Sequence, residues 1–206
     1  MSSGVLHQGL LKFLDNNISI VILAAGEARR FGGAKQLANV GGVPLLQKVV
    51  CNCLSVNDTT PVTVVLGANA ELIRPRLELT AVRILNNEGW AEGIASSIRL
   101  AVTELQSIAD ALLFVAGDQP LVSRFDLLEM IRQSDECSSQ ICAAFYKGGL
   151  GIPALFPRQF YAQLLNLEGD RGAKRILLAN NSKVIPVNMP SAAIDVDYVS
   201  DLAVLK

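Results

Sequence analysis

The sequence predicts a single-domain α/β protein built on a doubly wound, mostly parallel, Rossmann-like sheet with helices on both faces. Two observations carry this. Short β-branched and apolar runs alternate with stretches of helical period. Half of the residues are apolar and only 18% are charged, the balance of a sheet covered on both sides. With 206 residues, the chain fills one domain and falls short of two ordinary ones. The expected division is an N-terminal extension over 1–17 and one domain over 18–206.

The N-terminal stretch carries a lone Lys12 and Asp15 and has no long apolar run ahead of a small-residue cleavage site. It does not resemble a secretory signal, and a short helix around 5–14 is expected. The first strand is 19–24, apolar and β-branched up to Gly26. Similar runs at 61–66, 81–85, 111–116 and 141–145 read as further strands, and each of the first three is followed by sequence of helical period. Between them, 44–54 puts Leu45, Leu46, Val49, Val50 and Cys53 on one helical face, and 94–105 does the same with Ile94, Ile98, Ala101, Val102 and Leu105. After Lys147 the pattern changes. Gly148, Gly149 and Gly151 loosen the backbone, a short strand follows at 152–156, and Pro157 opens a helix. This segment reads as an excursion from the sheet, either a wall of a ligand cleft or a packing hairpin. A strand at 183–187, the acidic stretch 195–197 and a terminal helix complete the chain.

A formal charge of −1 and a pI near 5.9 provide no basic field for nucleic acid or anionic lipid. Mean hydropathy is high, +0.36, yet the apolar runs are about four to eight residues long, where a membrane span needs roughly 20. Neither nucleic acid nor membrane is expected as a partner. Cys51, Cys53, Cys137 and Cys142 lack CxxC spacing, and the only histidine, His7, cannot complete a zinc site with them. They read as reduced thiols of a cytoplasmic protein.

Ligands of doubly wound sheets sit at the carboxyl ends of the strands. At the end of the first strand and just beyond it come Leu23, Ala24, Ala25 and Gly26, followed by Arg30 and Lys35. Small residues let backbone amides approach a phosphate, and the two cations meet its oxygens. A dinucleotide loop would need Gly at position 28, where Ala stands. A P-loop would need Ser or Thr after Lys35, where Gln36 stands. After the strand at 111–116 come Gly117, Asp118, Gln119 and Pro120. Asp118 is placed either to bind Mg²⁺ or to cap its own turn. Asp195 and Asp197 offer a second carboxylate, and Asp197 is equally suited to capping the last helix. Gly93, Ser96 and Ser97 stand at a helix start, as contacts to a base and ribose or as plain caps.

In this order the segments resemble the MobA/MocA-like nucleotidyltransferases, most closely the MocA branch of molybdenum cofactor cytidylyltransferases. The matching pieces are Leu23-Ala24-Ala25-Gly26 with Arg30 and Lys35, Gly89-Trp90-Ala91-Glu92-Gly93 with Ser96-Ser97, and Gly117-Asp118-Gln119-Pro120. Gly151 to Arg158, Gly169-Asp170-Arg171-Gly172-Ala173, and Asp195-Val196-Asp197 with Asp201-Leu202 complete the set. The resemblance implies a fold of the nucleotide-diphospho-sugar transferase type. It also implies Mg²⁺-dependent attack of a substrate phosphate on the α-phosphorus of a nucleoside triphosphate, releasing pyrophosphate. In that pattern Leu23, Ala24, Ala25 and Gly26 hold the triphosphate, with Gly117 beside them, and Arg30 and Lys35 stabilise charge. Asp118 binds the metal, Asp195 or Asp197 supplies the second carboxylate, and Gly93 and Ser97 meet the base and ribose. Ala25 matches the Leu-Ala-Ala-Gly loop of relatives that use cytosine nucleotides. The implied partners are CTP and molybdopterin, and they extend to a molybdenum hydroxylase or its chaperone. Two competing expectations are transfer to another acceptor, a sugar or alditol phosphate, and a non-catalytic maturation factor that binds the cofactor.

Overall fold

The computed structural model describes residues 17–205. The helix expected around 5–14 lies outside them, as does His7. The chain opens with β1 (Ile18–Leu23), a 3-10 turn at Lys35–Leu37, and a small hairpin of β2 (Asn39–Val40) and β3 (Val43–Pro44). It continues with α1 (Leu45–Leu54), β4 (Val62–Leu66), α2 (Ala70–Ile73), β5 (Arg83–Asn86), α3 (Ile94–Leu105), β6 (Ala111–Ala116) and α4 (Arg124–Glu136). The last part holds β7 (Ile141–Tyr146), β8 (Gly149–Pro157), α5 (Tyr161–Leu165), α6 (Lys174–Ala179), β9 (Val184–Asn188) and a 3-10 helix at Val199–Leu205.

Among the described residues seven strands form one sheet in the order β5-β4-β1-β6-β8-β7-β9. Neighbours are parallel except where β8 meets β6 and β7. In β1, Ile18, Ile20 and Ile22 join the layer that holds α1 and α4, while Val21 joins the layer of α3, α5 and α6. Because both faces are covered, every position in the strand is apolar or small. Ile20, Val21 and Ile22 are fully buried, each contributing about 1.5–3 kcal/mol of apolar burial.

The chain moves outward from β1 to β4 and β5, then returns through α3 to β6 on the other side of β1. Strand order reverses there, so the carboxyl ends of β1 and β6 open onto a crevice, the usual ligand position of such sheets. The buried face of α1 is the expected one, Leu45, Leu46, Val49, Val50 and Cys53. α3 occupies the expected span and also buries Ala95, Ser96 and Ser97.

Three expectations need correction. The segment after Lys147 is no excursion from the sheet. Lys147 and Gly148 both take positive φ, 49° and 74°, a two-residue hairpin turn of the primed kind. It folds β8 back between β6 and β7 as a nine-residue strand. Pro157 ends that strand, and a 3-10 turn at Arg158–Phe160 leads into α5. The terminal helix is of the 3-10 type, and its Asp201 carboxylate accepts from the amides of Asp197 and Tyr198, so Asp197 does not cap it.

Candidate active site

The crevice holds a cavity of about 480 Å³, within the range of small-molecule sites. Its floor is the loop after β1. Leu23, Ala24, Ala25 and Gly26 all line it, as do Arg30 and Lys35. The Ala24 amide donates to Val65 O at 3.0 Å, and Ala25 O accepts from the Ala68 amide at 2.9 Å. Ala28 takes φ 59°, a left-handed conformation that costs a residue with a side chain about 1–2 kcal/mol. Gly117 and Asp118 line the cavity from the mouth of β6. A Cβ at Gly117 would come within 2.9 Å of the Ala24 Cβ and 3.1 Å of Leu23 O, so only glycine allows the two strand ends to approach.

Opposite charges meet at one point. Lys35 Nζ lies 2.6 Å from Asp118 Oδ2, 3.2 Å from Asp197 Oδ1 and 2.9 Å from Val196 O. Arg30 Nη1 reaches Asp197 Oδ2 at 3.0 Å. The amide of Val196 donates to Asp118 O at 3.0 Å, and this backbone bond brings the C-terminal stretch to the mouth of β6. Burial works against the Lys35 ammonium, but the Asp118 and Asp197 carboxylates outweigh it and hold its pKa above the ordinary lysine value. Lys35 is therefore charged at neutral pH. Its side chain is only 14% exposed, so this pair is screened far less than a surface ion pair.

The two candidate carboxylates of the C-terminal stretch separate. Asp197 lines the cavity, whereas Asp195 does not converge on Lys35. Asp195 Oδ1 accepts from Gln119 Nε2 at 2.8 Å, and the same nitrogen donates to Ala192 O at 2.9 Å. A buried carboxamide thus takes Asp195 away from the cation position. Among the described residues no three metal-ligating side chains of the His, Cys, Asp and Glu types gather in one place.

The opposite wall comes from the segment before α3. Gly93 has φ 119°, and a Cβ there would fall 2.4 Å from Asp170 Oδ1, so glycine lets the loop around Asp170 close against the helix start. Ser96 and Ser97 do not cap α3, whose N-terminus has no side-chain cap. Asn87 Nδ2 donates to both hydroxyls, at 2.8 and 2.9 Å, and Ser96 Oγ donates on to Gly93 O at 2.8 Å. Ser97 Oγ thus accepts from Asn87, and its own proton has no acceptor among the described residues. Gly93, Ser97 and Trp90 all face the cavity. No role was anticipated for Asn87, Gln36 or Gln119: Asn87 stands outside the motifs, Gln36 and Gln119 stand beside their charged residues without a signal of their own, and only burial marks the three.

The model of the MobA-like NTP transferase domain matches residues 20–184. The chain is 27% identical to a protein of Nostoc sp. (strain PCC 7120) named "Probable molybdenum cofactor guanylyltransferase", over 93% of this chain and 91% of that one. It is 36% identical to the nicotine blue oxidoreductase of Paenarthrobacter nicotinovorans over 50% of each chain. Among solved structures, Rv0371c of Mycobacterium tuberculosis H37Rv superposes with a TM-score of 0.78 at 26% identity, over 92% of this chain and 97% of that one. A complex of that protein with manganese superposes with a TM-score of 0.77 at 24% identity, with the same coverage. Among the described residues no helix is long and apolar enough to cross a membrane.

Proposed function

The chain belongs to the MobA-like NTP transferase family, and from that premise we propose that it transfers CMP from CTP to the phosphate of molybdopterin, with release of pyrophosphate. The observation that carries this reading is the meeting of Lys35 and Arg30 with Asp118 and Asp197 at one point of the crevice, under a loop of small residues. Group transfer of this kind needs little beyond alignment and charge neutralisation. A triphosphate on the 24–26 loop brings its oxygens to Arg30 and Lys35.

A divalent ion, Mg²⁺ by preference, fits the same point. Two carboxylates already accept a cation there, the Lys35 ammonium, and Mg²⁺ on a triphosphate is commonly held by one or two carboxylates with phosphate oxygens and water. Asp118 and Asp197 would hold it, and its chemistry is to neutralise charge on the transferring group. The manganese complex of the mycobacterial neighbour accords with such a site.

Cytosine is favoured by Ala25. The support is the Leu23-Ala24-Ala25-Gly26 loop, which matches that of relatives that use cytosine nucleotides. The Nostoc relative is named for guanylyl transfer, which makes base choice the point to measure. One relative is named an oxidoreductase. The dinucleotide fingerprint is missing here at Ala28, and the charge cluster suits group transfer.

The test is pyrophosphate release from CTP or GTP with Mg²⁺ or Mn²⁺ and molybdopterin. CTP is the preferred donor, and Asp118→Ala loses activity by about 100-fold or more. Equal use of CTP and GTP would refute the base assignment, and absence of pyrophosphate with either nucleotide would refute the transfer.

A further inference from the structure

We propose that Gln36 is a positioning residue that aims the backbone amides of the 24–27 loop at the phosphates, acting only through the loop's carbonyl groups. The inference rests on the nucleotide reading of the crevice. Gln36 follows Lys35 on the 3-10 turn and is 3% exposed. Its Nε2 donates to Ala24 O and to Gly26 O, both at 3.0 Å. A peptide unit is planar and trans, so its N–H points opposite to its C=O. Drawing the carbonyls of residues 24 and 26 toward Gln36 therefore turns the amides of Ala25 and Glu27 away from it. The carbonyl between them, Ala25 O, is held by the Ala68 amide, which fixes the amide of Gly26 in the same way.

All three carbonyls of the loop are thus engaged with protein. The amides of Ala25, Gly26 and Glu27 donate to no group among the described residues. Successive unengaged amides in a short loop form an anion cradle. The space in front is open, since a Cβ at Gly26 would meet nothing within 4 Å.

A second observation sets Gln36 apart from a packing residue. Its Oε1 is buried with no hydrogen-bond partner among the described residues. Leaving a buried acceptor unmade is costly, and buried polar groups are rarely left so. What the side chain supplies is its two donor hydrogens, and both go to the loop.

Gln36→Met keeps the length of the side chain and removes both donors. Gln36→Glu keeps its shape and turns the donor into an acceptor facing two carbonyls. Binding of CTP with Mn²⁺, and of cytidine alone, is followed through the fluorescence of the single tryptophan, Trp90, which lines the cavity. Both variants are expected to bind CTP about tenfold more weakly, the worth of one to two lost hydrogen bonds, with cytidine affinity unchanged. CTP affinity equal to the native protein's, or a parallel fall for CTP and cytidine, overturns the positioning role and leaves the nucleotide site standing. A native protein that binds CTP no better than cytidine overturns the nucleotide reading and the role of Gln36 with it.

Discussion

Two carboxylates two positions apart have different surroundings, and the difference decides their chemistry. Asp197 faces the cations Lys35 and Arg30, while Asp195 accepts from Gln119. An asparagine at 195 still offers an oxygen to Gln119. Asp195→Asn should therefore leave Mn²⁺-dependent CTP binding within about twofold of native, whereas Asp197→Asn should weaken it by on the order of tenfold to a hundredfold. Titrating Mn²⁺ by electron paramagnetic resonance in the presence of CTP measures both, and equal losses would sink the distinction. Nothing in the stretch Ile194-Asp195-Val196-Asp197 tells the two apart. Which acid faces the cations depends on the Val196 amide docking on Asp118 O and on a glutamine 76 positions away. Gly117 entered the sequence reading only as part of Gly117-Asp118-Gln119-Pro120, and its reason, two close strand ends that demand a residue without Cβ, is visible only in the fold.

At the scale of elements, the strands and helices with strong periodicity stand where the sequence puts them, since β1, α1, β6 and α3 each present a full apolar face to the sheet. α4 was missed. It buries only Leu127, Met130, Ile131 and Ser134, a narrow stripe, and its outer face is dense with charge, such as the Glu129, Arg132 and Glu136 group. The available signal lay in its cap. Ser123 Oγ accepts from the Asp126 amide, and Asp126 Oδ2 accepts from the Ser123 amide, the reciprocal pattern of a capping box. The Ser191 hydroxyl also donates to Asp126 Oδ2, at 3.0 Å, which ties the helix start to the segment ahead of the C-terminal acids. Ser123→Ala should cost about 1 kcal/mol of stability, read as a lower urea midpoint with an unchanged slope. No change in midpoint would mean that the helix start is held by packing alone. The hairpin that inserts β8 was hidden for a related reason. Its turn, Lys147-Gly148, lacks the Asn-Gly or Asp-Gly pair that signals a primed turn, and the glycines around it resemble a loop.

Across the whole molecule, the crevice is assembled from segments that only the completed fold brings together. Lys35 meets Asp118 across 83 positions and Asp197 across 162, and Gly93 closes on the loop at Asp170. Sequence order alone could align these motifs with a family, but their convergence follows from the reversal of strand order between β1 and β6. A ligand that spans the crevice therefore recognises the folded chain and has almost nothing to bind in the unfolded one. At a concentration of about 100 times Kd, it stabilises the fold by about 2.7 kcal/mol. For a chain of this size each kcal/mol raises Tm by about 2–4 °C. CTP with Mn²⁺ should raise Tm by about 5–10 °C, whereas Asp118→Ala at the same concentrations should gain less than about 2 °C, as expected if Kd rises about 100-fold. Equal shifts in the two proteins would place the ligand away from the charge cluster, because a site elsewhere on the surface is indifferent to Asp118.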